Sequence, residues 1–443
     1  MIISLEERIY ALSLIWREAK YNFAYWDERP ELDWDAAYRQ ALPRVMAAND
    51  AYAFFRELQR FVALLRDGHS YVVMPTDLKI PTSWAPFETS YIEGKHVLME
   101  VPKDSGIPLY TEIVAVNGTP LEEYLQKYVY PYGWHEKTDS VFCYGKLGFE
   151  IATQEKGRVT IDTTMGCFSY DSDVRVETME GNWFYALTVK DQDTARVIVM
   201  EDNLLDISIT SDNIAIITPF TFCDERLKEV LYAYIAQCED CVGFIIDIRY
   251  NNGGNSSNVH PLVQLFFEGA FPDPPCDVVQ YIPHYGAYGQ NYNDVEQLDL
   301  QDPHAKKIYD INKRKMFYRE VDTTHVPDCP LYLSQPVVVV FDSETASAAE
   351  DFVCHMKHKN RATLVGSPSY GSNGQPYNGD LPGGGRYGIC TMKCYMLDGT
   401  VYNNIGIQPD VYVENTIQNH IDKFDAVLDK GLSILREKID ERI

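Results

Sequence analysis

A multi-domain α/β protein is the fold class the sequence predicts, on three observations. From about residue 199 onward, strands apolar on both faces alternate with helices, the pattern of a sheet covered on both sides. Residues 3 to about 66 instead place apolar residues at helical spacing throughout. Between these, from about 76 to 198, short apolar runs are broken by Gly, Pro and Asp. At 443 residues the chain exceeds what one core ordinarily holds. Three domains are expected: a helical unit over 1–75, a mostly β module over 76–198 and an α/β core over 199–443.

The helical unit reads as three helices, "LEERIYALSLIWREAKYNFAYW", "DWDAAYRQALPRVMAA" and "DAYAFFRELQRFVALLRD". Asp33 and Asp50 are the expected N-caps of the second and third. The third is expected to stop at Gly68, where "HSYVVMP" begins a β-branched strand. In the middle module "HVLMEV", "TEIVAVNG" and "RVTIDTT" read as strands, with one short helix after the Asn117-Gly118 turn. The third segment reads as strand "IAIITPF", helix "DERLKEVLYAYIAQC", strand "VGFIIDIRY", helix "SSNVHPLVQLFFEG", strand "PVVVVFD" and helix "SAAEDFVCHMKH". The polar stretch "YGAYGQNYNDVEQLDLQDPHAKK" is expected to be an excursion or lid between core elements.

Charge limits the partners. Lys and Arg number 39 against 65 Asp and Glu, a net −26, which disfavours nucleic acid and anionic membranes. No run approaches the 18 or so apolar residues of a membrane span, and Glu6, Glu7 and Arg8 fall where a signal peptide needs an apolar segment. The expectation is a chain that stays in the cytosol, or one whose export signal was removed. Ten cysteines are scattered without a dense framework. "CEDC" (Cys238, Cys241) reads as structural or free thiols. Cys354, His355 and His358 of "CHMKH" spread around one helical turn, so no metal or cofactor is expected.

Three places leave a strand for small polar residues. In "DIRYNNGGNSS", Asp247 and Arg249 close a strand, and Asn251 to Gly254 turn into a helix. Paired glycines can aim backbone N–H groups at an oxyanion, or simply make the turn. In "FDSETASAAED", a serine at a helix N-terminus suits a nucleophile, although by itself the position favours a cap. "GSNGQPYNGDLPGGGRYGI" is a Gly-rich loop able to wall a substrate site, without the GK[ST] ending of a phosphate loop. A serine nucleophile needs a base. His304 and His325 sit in polar stretches and His420 near the tail, whereas His69 stands at a helix-to-strand corner between Gly68 and Ser70.

Together, "LRDGHSYV", "GFIIDIRYNNGG", "VVVVFDSETASAAEDF" and "LVGSPSYGSNGQ…LPGGG…LDGT…GIQPD" resemble, in order, the motifs of the C-terminal processing (tail-specific) serine peptidase family, which includes the tricorn core. The resemblance spans about residues 8 to 412. It implies a ClpP/crotonase-like core and a PDZ-like module containing "SGIPLYTEIVAVNGTPLEEYL". It places Ser347 on the nucleophile and the backbone N–H groups of Ala348 and of Gly253 or Gly254 in the oxyanion hole. Glu350 falls on an acidic position that orients loops or binds substrate.

Where the tail-specific branch has its lysine base, this chain has Ser372, so the histidine branch is the better match, with His69 as base. That branch has a serine before the histidine and a glutamate near the end, where this chain has Gly68 and Asn403. Asn403, Ser372, Asp67 and Asp398 are the candidates to orient the imidazole. The implied activity is that of a serine-type endopeptidase on polypeptide substrates, working through an acyl-enzyme without a cofactor. The alternatives are a non-catalytic ligand- or peptide-binding relative and a small-ester hydrolase or acyltransferase.

Overall fold

The computed structural model describes residues 2–79, 85–133, 144–181, 194–201, 203–313, 317–319, 324–326, 328–329 and 331–442. Helices α1 (Leu5–Asn22), α2 (Trp34–Met46) and α3 (Ala51–Val62) open the chain. Each starts on a side-chain cap. Ser4 and Glu7 form a capping box, and Asp33 and Asp50 accept the N–H groups of Ala36 and Ala53 at 2.9 and 2.8 Å. Their apolar stripes, including Ile15, Trp34, Phe54 and Phe61, meet in one core. That core also takes Leu381, Tyr387, Ile389 and Cys390 from far along the chain.

α3 ends earlier than Gly68. After Val62 one 3-10 turn follows (Ala63–Leu65), and Arg66, in the left-handed region at φ 52°, reverses the chain. Strand β1 (Tyr71–Val73) comes next. Residues 85–181 build their own core around Phe87, Leu98, Val116, Leu147 and Ile161. They contain two helices, Leu121–Tyr128 and Tyr144–Gln154, where one was expected. The second is glycine-bearing ("YGKLGFEIATQ"), a weak helix former by propensity. Its buried Leu147 and Ile151 fix it from outside.

The largest sheet has seven strands: β2 (Thr194–Glu201), β3 (Leu205–Thr210), β4 (Ile214–Pro219), β5 (Gly243–Asp247), β6 (Val337–Phe341), β7 (Thr363–Gly366) and β10 (Val411–Tyr412). Their order is β10-β7-β6-β5-β4-β3-β2. Neighbours from β4 to β10 run parallel, and β2, β3 and β4 pair antiparallel. Every residue of β4, β5 and β6 is buried, because helices cover both faces. Helix α4 (Ala348–Lys357) packs on one face and α5 (Ala426–Asp440) on the other. A separate hairpin, β8 (Pro376–Asp380) and β9 (Arg386–Cys390), adds β1 as its third strand, Tyr71 opposite Gly388. The Gly-rich stretch expected as a loop is therefore largely this hairpin.

Two further expectations change. "SSNVHPLVQLFFEG" is three short pieces, Ser256–Asn258, His260–Val263 and Gln264–Phe266, rather than one helix. Pro261 has no N–H for a preceding turn, so a helical run can only restart there. The polar excursion is itself helical over Pro283–Gly289 and Pro303–Asn312. His325 lies on a two-residue strand paired with Phe271–Pro272, not in a loop.

Candidate active site

The parallel strands deliver three turns to one end of the sheet. After β5, Asn251 is fully buried and pins that region. Its Nδ2 donates to the Pro219 carbonyl at the end of β4 (2.8 Å), its Oδ1 accepts the Gly253 N–H (2.9 Å), and its carbonyl accepts the Ala346 N–H (3.1 Å). Gly253 stands at φ 93°, and a Cβ there would lie 2.8 Å from both the Ala348 nitrogen and the Ser347 Cβ. No side chain fits between this turn and the serine. The charged residues of the same turn serve the scaffold. Arg249, buried, forks between Asp247 (2.6 Å) and Asp425 (2.8 Å), the residue that caps α5.

After β6, Thr345 closes a tight turn by donating to the Ile248 carbonyl at 3.0 Å. Ser347 then sits at φ 55°, ψ −125°, an unfavourable conformation for a residue with a side chain, and heads α4. Its N–H donates to the Ser372 carbonyl (3.0 Å) and to Glu350 Oε2 (3.2 Å). Glu350 is wholly buried and gathers three more donors: Ser369 Oγ (2.5 Å), Gly371 N–H (2.7 Å) and Ser372 N–H (3.1 Å). It therefore orients loops, tying the 369–372 segment to the N-terminus of α4. Burial outweighs these donors and raises its pKa to about 7.

The β1–β9 ladder brings His69 to this turn. His69 Nε2 lies 3.1 Å from Ser347 Oγ across 278 residues of sequence, and its Nδ1 lies 2.8 Å from Ser372 Oγ. Gly68 is required beside it, since a Cβ would stand 2.6 Å from Ser372 Oγ. The imidazole keeps a solvent-facing edge but is densely surrounded, and desolvation lowers its pKa to about 4. The ring is thus neutral at neutral pH.

Of the residues expected to orient that ring, Ser372 is the one bonded to it. Asn403 is buried with an unbonded Nδ2, and both imidazole nitrogens face other residues. Asp67 is buried beside the Ser70 hydroxyl and the His69 amide, and neither oxygen makes a hydrogen bond; burial raises its pKa to about 7. Asp398 accepts the Thr400 N–H in an exposed turn. Sequence reasoning missed Asn373. Its Nδ2 donates to Asp351 (2.6 Å) and to the Ser347 carbonyl (3.3 Å). Its partners lie 22 and 26 residues away, so no local pattern marked it.

Residues 213–413 match the model of peptidase family S41. That match covers less than half of the chain. The chain is also similar to a carboxy-terminal-processing protease of Bartonella bacilliformis, 24% identical over 197 residues, 44% of this chain and 36% of that protein. The chain thus spans little more than a third of that relative's length. Among solved structures, mature CPAF aligns over 99% of this chain and 98% of its own, with TM-score 0.70 and 15% identity. The tricorn protease aligns over 98% of this chain and 37% of its own, with TM-score 0.50 and 13% identity. The likeness in fold to CPAF extends beyond residues 213–413 to the helical unit that precedes His69.

Proposed function

We propose that this chain is a serine-type endopeptidase that hydrolyses polypeptides through an acyl-enzyme, with Ser347 as nucleophile and His69 as general base. The observation that carries the reading is the 3.1 Å approach of a neutral His69 Nε2 to Ser347 Oγ. In this reading Ser347 Oγ attacks the scissile carbonyl carbon as its proton passes to Nε2. The tetrahedral oxyanion is held by the N–H groups of Ala348 and Gly254, since the Gly253 amide is committed to Asn251. Collapse breaks the C–N bond, and the amine leaves with the proton from Nε2. Water, deprotonated by the same nitrogen, then releases the acid and restores Ser347. Ser372 accepts from Nδ1–H, which fixes the tautomer whose Nε2 lone pair faces Ser347.

A ClpP/crotonase-like core over 199–443 belongs to the same reading and is supported by the mixed sheet with helices on both faces. A PDZ-like module over 76–198 is supported by the strand–turn–helix at Ile113–Tyr128 and by that segment's separate core. The test pairs two measurements on the purified chain: labelling by a fluorophosphonate and hydrolysis of an unstructured polypeptide. Labelling at Ser347, with Ser347→Ala folded but inactive, is expected. Wild-type turnover in Ser347→Ala refutes the assignment.

A further inference from the structure

A second cluster of reactive side chains lies behind α4 and has no part in the site above. His260 follows the Gly253–Gly254 turn, His355 lies on α4, and Asp273 and His325 flank the short ladder in which Phe271 opposes His325. All three histidines turn Nε2 toward the one carboxylate. His260 Nε2 is 3.0 Å from Asp273 Oδ1, His325 Nε2 is 2.6 Å from Oδ2, and His355 Nε2 is 3.8 Å from Oδ1. Ligand atoms of His260, Asp273 and His325 all lie within 4.8 Å of one another.

Hydrogen bonding alone does not account for the arrangement. His260 and His325 each lie within hydrogen-bond distance of one carboxylate oxygen, and the third ring does not. His355 is 1% exposed, its Nδ1 has no partner, and 3.8 Å is too long for a hydrogen bond from its Nε2. The His260 and His325 rings, tilted at 37° with centroids 3.8 Å apart, crowd the carboxylate beside that buried third ring. A cation on the shared side of the carboxylate would join the Nε2 atoms of His260 and His325, and a small shift of the His355 ring would bring its Nε2 into the set. In a tetrahedral zinc site, bond lengths of about 2.0–2.2 Å put ligand atoms about 3.3–3.6 Å apart. The separations of 2.6, 3.0 and 3.8 Å fall on both sides of that range.

We infer that His260, Asp273, His325 and His355 form a structural zinc site that ties the oxyanion-side helix, the Phe271–His325 ladder and α4 together. Three imidazoles and one carboxylate are a borderline-soft set that suits Zn2+ over Mg2+ or Ca2+, and four protein ligands leave no open position. Asp273, His260 and His325 are partly exposed, with side chains 30%, 22% and 27% accessible, so an ion can enter from solvent. The inference departs from the sequence expectation that no metal is bound. It assigns His355 to partners distant in sequence, not to its neighbours Cys354 and His358. It does not rest on the peptidase reading.

The test uses the full chain without a polyhistidine tag, stripped with a chelator and titrated with ZnCl2 and CoCl2. One equivalent of Zn2+ should bind, raise the melting temperature, and give with Co2+ the intense visible absorption of a four-coordinate ion. The exposed ligands supply variants that keep the core, His260→Ala and His325→Ala, with folding checked by circular dichroism. Each should weaken Zn2+ binding by at least about tenfold, the lower end of what losing even an outer-shell partner costs. Absent binding, a six-coordinate Co2+ spectrum, or unchanged affinity in the folded double variant would each overturn the site.

Discussion

Ser347 pays a conformational cost to stand where it does, and two variants can measure it. A non-glycine residue in such a region costs on the order of 1–3 kcal/mol. Ser347→Gly relieves that strain and Ser347→Ala does not, so both should be inactive while the glycine variant melts higher by calorimetry. The neighbouring imidazole sets the pH behaviour. His69 has a lowered folded pKa, so its contribution to stability is complete above about 6.5, the unfolded value, and is lost as pH falls through about 4. In the proposed mechanism the neutral ring is also the proton acceptor, so kcat/KM should hold from neutral pH to about pH 5 and then fall through about 4. An acidic limb centred at 6 to 7 would show that the base is a more solvated group. Ser372→Ala should cut kcat by about tenfold or more with KM little changed, since it removes the ring's anchor and not a substrate contact.

At the scale of the element, the short strand β1 decides whether base and nucleophile meet. Gly388 lies opposite Tyr71, and a Cβ there would stand 2.7 Å from the Tyr71 ring. Gly388→Val should displace β1 and with it His69. Misplacing a catalytic group by an ångström can cost about a hundredfold, so kcat/KM should drop by that order while the far-ultraviolet circular dichroism stays unchanged. Much of this architecture was legible from sequence. Strands β4, β5 and β6 announced themselves because "IAIITP", "GFIID" and "VVVVF" are apolar on both faces, and burial on both faces is what they received. Ser347, His69 and Glu350 were legible through local motifs. Ser372 as the imidazole partner was only one candidate among four, because its bond to His69 links residues 303 apart and no local pattern encodes it. Helix Tyr144–Gln154 was missed for the same kind of reason. Its Glu150 pairs with Arg56 at 2.7 Å, a contact supplied by another segment.

At the scale of the whole molecule, buried ion pairs join segments remote in sequence. Arg249 bridges Asp247 and Asp425, all three buried, and so fastens the catalytic end of the sheet to α5. Arg249→Ala strands two buried carboxylates and should destabilise the fold by at least about 3–5 kcal/mol, read from the urea midpoint. Arg56→Ala should lower stability in the same way by uncoupling the helical unit from residues 85–181. The composition of the N-terminal core has a temporal consequence. Helices α1 to α3 leave the ribosome first, yet Leu381 to Cys390, which complete their packing and align His69, are made about 300 residues later. At about 5–20 residues per second, roughly 15 to 60 seconds of translation separate the two. For that interval the strand that aligns His69 is missing, so in the proposed mechanism Ser347, although already made before Leu381, has no positioned base and the growing polypeptide is spared.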